Sequence, residues 1–310
     1  MAKTDNLSDF LTDVANSIRT KTGTTEQINA QDFSNKILSM KGMQLWIDTK
    51  GTSAYLMAGY EGTTFDDSVL APDDTKDITN MNCMFYGCRG LTTIPLINTS
   101  NATTMVSMFS SCSSLTSVPL LNTSKVTNME YMFADCRNLQ SIPQLDTGNV
   151  TNMNYMFIRS TIESIPSLDT SKVTSMAGMF KDCFRLASAP MFNTSNVTNM
   201  YYMFSGCNLL TTVPAYDVSN VGAPGTAGAA GAFAGAFNGC HNLKSILMTN
   251  IGADLNISDS TKFERSDLLV ILNNLKTVTS TKTLTMGATN LAKLTEEDKA
   301  IATNKGWTLE

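Results

Sequence analysis

The chain has 310 residues, a formal charge of −5 and a pI of about 5.0, so the basic excess that nucleic acid or an anionic membrane surface attracts is missing. Hydrophobic residues make up 42% and charged residues 16%, with serine, threonine and asparagine supplying the remaining polarity, which excludes a long disordered charged chain. One histidine, His241, and no apolar run of about 18 residues argue against histidine metal clusters, Cys/His/Asn catalysis and a transmembrane helix.

Residues 1–42 read as a helical hairpin. Leu7, Phe10, Leu11, Val14 and Ile18 keep helical spacing up to a stop at Gly23, and a second short helix from about Asn29 carries Phe33, Ile37 and Leu38 before Gly42. The opening residues lack the apolar segment of a secretion signal, so none is expected. Residues 43–77 read as an N-terminal cap of short strands and turns, with Met43-Gln-Leu-Trp-Ile47 the clearest strand.

Residues 78–249 carry an internal repeat. Phe85, Phe109, Phe133, Phe157, Phe180 and Phe204 lie 24, 24, 24, 23 and 24 residues apart, and Pro95, Pro119, Pro143, Pro166, Pro190 and Pro214 keep the same beat. In each unit a pattern such as Met129, Met132, Phe133 (i, i+3, i+4) predicts a short helix. Leu139 and Ile142 then predict a short extended piece ended by Pro143, and Asn/Asp-Thr-Ser segments turn the chain. A unit of this size cannot bury its own apolar face, so the units are expected to stack into a solenoid with one continuous core. Two methionine columns, Met81 to Met200 and Met84 to Met203, hold 12 of the 19 methionines and read as core filler. Unit four is one residue short and carries Ser160 where its neighbours have cysteine. The glycine- and alanine-rich stretch 222–236 reads as an inserted flexible loop.

Six of the seven cysteines, Cys88, Cys112, Cys136, Cys183, Cys207 and Cys240, recur three residues after the column phenylalanine. Parallel Cβ vectors in stacked coils place them too far apart for disulfides, so free buried thiols are expected. Residues 250–310 read as a C-terminal α/β cap: a helix N-capped by Ser266 and running to about Lys276, a strand at Thr283-Leu-Thr-Met286, and a last helix starting at Thr295 and closing at Gly306.

No cofactor, metal or catalytic residue is expected. Asp146, Asp169 and Asp217 share their column with Asn98, Asn122 and Asn193, which suits turn formation and not general acid chemistry. The residues that leave the core pattern are Glu130, Tyr131, Asn154, Tyr155, Tyr201 and Tyr202, and they are the candidate binding residues. Tyrosines on successive coils can stack on sugar rings or pack on protein; they can equally shield the methionine columns.

The unit Val-Thr-Asn-Met-x-x-Met-Phe-x-x-Cys-x-x-Leu-x-x-Ile-Pro-x-Leu-Asp-Thr-Ser resembles the BspA-type leucine-rich repeat of bacterial surface proteins. The segments Leu7 to Thr24 and Ile28 to Phe33 are similar to the start of many tail and baseplate-associated phage proteins, and Leu291 to Trp307 resembles the closing segment of repeat proteins in those phages. The resemblance implies an α/β repeat solenoid (leucine-rich-repeat-like) with an N-terminal helical hairpin and a C-terminal α/β cap. It also implies a virion structural protein, a tail fibre, tail tip or head fibre, assembled in the host cytoplasm. Leu7, Phe10, Leu11, Val14, Ile18 and Phe33 would attach it to other virion proteins, and the repeat face would meet a host glycan or protein. Virion fibres of this kind are commonly trimeric, so a homotrimer is implied too. A passive capsid or tail decoration protein and a bacterial cell-surface adhesin are the alternatives.

Overall fold

A computed structural model describes residues 45–47, 54–56, 75–94, 96–223 and 231–310. The predicted hairpin over residues 1–42, with Leu7, Phe10, Leu11, Val14, Ile18 and Phe33, lies outside the described residues. Within the predicted N-terminal cap, β1 (Leu45–Ile47) pairs antiparallel with β2 (Ala54–Leu56), Trp46 opposite Tyr55.

The repeats form a stack of coils, counted one to seven by Phe85, Phe109, Phe133, Phe157, Phe180, Phe204 and Phe237. Parallel bridges join coils one to six in succession through Asn80, Thr104, Asn128, Asn152, Ser175 and Asn199, and Asp217 bridges to Thr249 between coils six and seven. The six phenylalanine rings from Phe85 to Phe204 are buried and stacked face to face with centroids 5.3–5.8 Å apart, and Phe237 continues the column at 6.0 Å. Both methionine columns are buried in register, as is a third column, Leu91, Leu115, Leu139, Ile162, Leu186, Leu210 and Leu243.

One expectation is corrected here. The Met-x-x-Met-Phe segments are not helical. In coil two the N–H groups of Met105, Ser107, Phe109 and Ser111 donate forward to the carbonyls of Asn128, Glu130, Met132 and Ala134 in the next coil. The N–H groups of Met108, Ser110 and Cys112 instead close i→i+3 turns within the coil. An α-helix spends every N–H on the carbonyl four residues back, so it cannot also bond a neighbour. The segment is a ribbon of tight turns that alternately folds on itself and bonds forward, like a crumpled parallel ladder. Met and Phe at i, i+3, i+4 still face one way, which is why the pattern imitates a helix.

The ribbon requires positive φ at two places per coil. The first column is Cys83, Ser107, Tyr131, Tyr155, Gly178, Tyr202 and Gly235, with φ between 54° and 65°. The second is Gly87, Ser111, Asp135, Arg159, Asp182, Gly206 and Gly239, with φ between 56° and 79°. Each is the third residue of a turn, where a type II turn demands positive φ.

Polar columns seal the opposite side of each coil. The buried hydroxyls of Thr99, Thr123, Thr147, Thr170 and Thr194 donate to the Asn122, Asp146, Asp169, Asn193 and Asp217 carbonyls one coil on, at 2.7–2.9 Å. The side chains of Asp146, Asp169 and Asp217 accept the amide two residues ahead, as turn formers do.

The cysteine column is free of disulfides, and it does more than fill space. Cys112, Cys136, Cys183, Cys207 and Cys240 donate Sγ–H to the phenylalanine carbonyl of the preceding coil at 3.0–3.1 Å. Ser160 does the same to the Phe133 carbonyl. The column therefore wants a small buried donor, which explains why serine can replace cysteine there. Burial pushes these thiols far above their ordinary range, Cys240 to about 12. Cys136→Ser is expected to cost under about 1 kcal/mol, and Cys136→Ala about 1–2 kcal/mol through lost volume and a lost donor, measured by urea denaturation. A thiol reagent should modify half-buried Cys83 in the native protein and leave the other six cysteines until it unfolds.

The expectation of a loop over 222–236 is also corrected. From Gly231 the chain is back in the ladder: Met200, Tyr202 and Phe204 donate to the carbonyls of Ala232, Ala234 and Ala236. Phe233 takes the first methionine position and Ala236 the second, both buried, a large-plus-small pair filling the space of two methionines. Residues 224–230 lie outside the described residues.

Two-residue strands β3 (Thr212–Val213) and β4 (Ser245–Ile246) pair in parallel between coils six and seven. The C-terminal cap is a parallel sheet of β5 (Leu255–Asn256), β6 (Lys282–Thr285) and β7 (Trp307–Leu309), in that order, with α1 (Arg265–Asn274), α2 (Ala288–Leu291) and α3 (Glu296–Thr303). Glu264, not Ser266, caps α1, because Asp267 completes a capping box with it. Thr295 caps α3 as expected. Asp298 on α3 receives a two-pronged bond from Arg265 at 2.7 Å, which with the cap amide holds its carboxyl below the usual range. The cap also ends the ladder: the Gly239 N–H, which has no further coil to bond, donates to the Asp259 carboxylate at 2.7 Å.

Candidate functional site

The turn ribbon sets its side chains by column. Tyr131, Tyr155 and Tyr202 occupy the first positive-φ column, and Glu130, Asn154 and Tyr201 the position just before it. All six are half-buried. The left-handed turn aims each column tyrosine out of the core and along the stack toward the next coil. Tyr131 stacks on Tyr155 with centroids 4.9 Å apart and planes 9° apart. Tyr155 in turn lies over Gly178, where an added Cβ would sit 2.2 Å from its ring carbons. Tyr202 covers Gly235 in the same way, at 2.1 Å.

Tyr201 packs against Tyr202 at 4.1 Å with planes tilted by 54°, and the Lys181 ammonium sits 4.6 Å above the Tyr202 ring. Partial burial raises the phenols of Tyr131 and Tyr155, and the hydrogen bond that the Tyr201 hydroxyl donates to Tyr202 raises that of Tyr201. Tyr131, Tyr155 and Tyr201 are therefore neutral donors and acceptors at neutral pH. Two of the six candidates, Asn154 and Glu130, accept side-chain hydrogen bonds from the next coil. The Asn154 side-chain oxygen accepts from the Ser175 hydroxyl at 2.6 Å and the Ala177 N–H at 2.9 Å. Glu130 accepts from Asn152 at 3.2 Å.

A second feature escapes sequence reasoning. Arg89, Ser111, Ser113, Asp135, Arg137 and Arg159 line a cleft of about 400 Å³ along the other positive-φ column. These residues are 22–26 apart from one coil to the next and share no motif. Their one sequence signal is an arginine at position 159, where the other coils have glycine, serine or aspartate. Among the described residues no group of three or more His, Cys, Asp or Glu side chains is arranged to hold a metal ion, and no helix is long and apolar enough to cross a membrane.

A family model described as "Mycoplasma protein of unknown function, DUF285" matches residues 57–163 and 139–244, more than half of the chain. No curated protein matches it. Among solved structures, a leucine-rich-repeat protein of T. pallidum (TpLRR) is similar at 14% identity and a TM-score of 0.33, over 87% of this chain and 96% of that one. A leucine-rich-repeat protein from Bacteroides ovatus is similar at 11% identity and a TM-score of 0.23, over 87% of this chain and 99% of that one. At such TM-scores these likenesses carry no weight beside the coil geometry, which by itself defines the repeat stack.

Proposed function

The chain belongs to the DUF285 family, and we propose that it is a non-enzymatic recognition protein whose repeat stack holds an aromatic ledge outward to bind a surface glycan or protein. The observation that carries this reading is the stacked, half-exposed pair Tyr131 and Tyr155, extended by Tyr201 and Tyr202. Rings already fixed by their neighbours lose little freedom when a partner lands on them, so their apolar area converts efficiently into affinity. A solenoid of BspA-type leucine-rich repeats suits the task, since its outer positions can vary while the core columns stay constant.

In its finer form the reading is a phage virion structural protein, fastened to other virion proteins through residues 1–42 and recognising the host through the stack. The likeness of residues 7–24, 28–33 and 291–307 to segments of phage proteins supports it. A bacterial cell-surface adhesin is the second reading, favoured by the family description, which names Mycoplasma. Both use the same ledge and differ in where the protein resides.

Antibody labelling tests location. Gold at the tip of a tail or head fibre is the expected result; gold on the cell envelope without particles supports the adhesin; gold within the shell or sheath points to passive decoration and overturns recognition. Replacing Tyr131, Tyr155 and Tyr202 together by alanine is expected to weaken cell binding about tenfold or more, since each ring contributes on the order of 1 kcal/mol. Unchanged binding by a variant of unchanged stability would remove the ledge from the mechanism.

A further inference from the structure

We propose that the cleft between Arg89 and Arg159 is a binding site for an acidic sugar residue, one whose ring carries a carboxylate, sulfate or phosphate group. Three arginines, from coils one, three and four, line an opening of about 400 Å³, within the roughly 300–1,000 Å³ usual for small-ligand sites. Three arginines against one aspartate leave two positive charges in excess, on a chain whose net charge is −5. The concentration of positive charge is therefore local and not a general property of the surface.

The groups are not equivalent. Asp135 is shared by Arg137 at 3.2 Å and Arg159 at 2.9 Å, one contact each, which tethers both guanidinium groups while leaving most of their N–H groups unspent. Arg89 is exposed and has no charged partner among the described residues. The planar fork of a guanidinium fits a carboxylate, sulfate or phosphate through two parallel bonds. Ser111 and Ser113 lie between the arginines. The Ser113 hydroxyl reaches the Arg89 carbonyl at 3.5 Å, a long and weak contact, so both serines retain hydroxyl bonding capacity. Guanidinium forks flanking serine hydroxyls match an oxyanion carried on a ring of hydroxyl groups. Coils repeat every ~4.8 Å, so Arg89 and Arg159 stand about 14 Å apart along the stack, enough for more than one sugar unit. Arg159 adopts φ 57° in a column otherwise occupied by glycine, serine and aspartate, of which glycine and aspartate take that backbone more readily, so its place at this cleft carries a conformational cost.

The inference rests on the reading of the chain as a recognition protein, but it uses none of the ledge tyrosines, so the two can fail separately. The test is calorimetric titration of the full chain with an oligoglucuronate, a heparin-derived sulfated oligosaccharide, a neutral glucose oligomer of equal length, and inorganic phosphate. At least one acidic oligosaccharide is expected to bind in the micromolar range, with weakening by added salt, and the neutral oligomer to bind at least about tenfold less tightly. Arg89→Ala is expected to weaken that binding about tenfold with an unchanged melting temperature, because its exposed side chain makes no ion pair among the described residues, whereas the Tyr131/Tyr155/Tyr202 alanine variant should bind these probes normally. Arg159→Lys, which keeps the charge and loses the fork, should fall between wild type and Arg89→Ala. No binding of either acidic oligosaccharide at millimolar concentration, equal binding of the neutral oligomer, or undiminished binding by Arg89→Ala would overturn the proposal. Phosphate binding as tight as that of the oligosaccharides would overturn the sugar assignment.

Discussion

Phe133→Ala is expected to destabilise the protein by about 3–5 kcal/mol, the upper range for removing a buried aromatic side chain. Phe133 is fully buried and lies between the rings of Phe109 at 5.5 Å and Phe157 at 5.6 Å. The cavity left by alanine could shrink only if coils two and four approached each other. They cannot, because the forward bonds of Phe109 to Met132 and Phe133 to Met156 fix the coil spacing. The stacking preference of the two neighbouring rings is lost as well. In a stack held by nearest-neighbour interfaces, such a gap weakens both interfaces of coil three. A lower urea midpoint with separate transitions for the two sides of the gap would show this directly. A loss under about 1 kcal/mol would mean that the ring column is not the structural axis of the stack.

Gly178→Ala is expected to cost about 2–3 kcal/mol and to disturb the aromatic ledge at the same time. Two effects combine. A left-handed backbone costs a non-glycine residue about 1 kcal/mol, and Gly178 has φ +57°. That cost alone is tolerable, since Tyr131 and Tyr155 sit in the same column with φ of 55° and 54°. The second effect is steric. The new Cβ would stand 2.2 Å from two ring carbons of Tyr155, so the ring must swing away from its seat and from Tyr131. Tyr155→Ala in the Gly178→Ala background should therefore recover the steric part, leaving about 1 kcal/mol, in a double-mutant cycle with a coupling of about 1 kcal/mol or more. A coupling near zero would mean that Tyr155 does not occupy the space above Gly178. Gly235, beneath Tyr202, should behave alike, with the Lys181 contact also lost.

Much of this molecule can be read from the chain alone, because a repeat writes its core once per unit. The phenylalanine, methionine, leucine and cysteine columns emerge from counting. So does the turn role of Asp146, Asp169 and Asp217, and stacking geometry accounts for the absence of disulfides. Thr295 is recognisable as a cap because its partner Asp298 is three residues away. Other features depend on what lies one coil distant. Met129, Met132 and Phe133 look helical because one-sided burial at i, i+3, i+4 is common to a helix and to this turn ribbon, and only the destination of the N–H groups separates them. Ser160 looks like a lapse until its hydroxyl is seen donating to the Phe133 carbonyl. Gly231 to Ala236 looks like a loop because glycine and alanine hide a register that only the Met200, Tyr202 and Phe204 amides reveal. Gly178 draws no notice until Tyr155 is found lying over it. The sequence by itself determined which residues share an interior, since burial needs only a hydrophobic side chain at a fixed beat. Tertiary structure decided the backbone path, the arginine cleft and the ledge, since hydrogen bonds and charges act over a few ångströms between residues about one repeat apart in the chain.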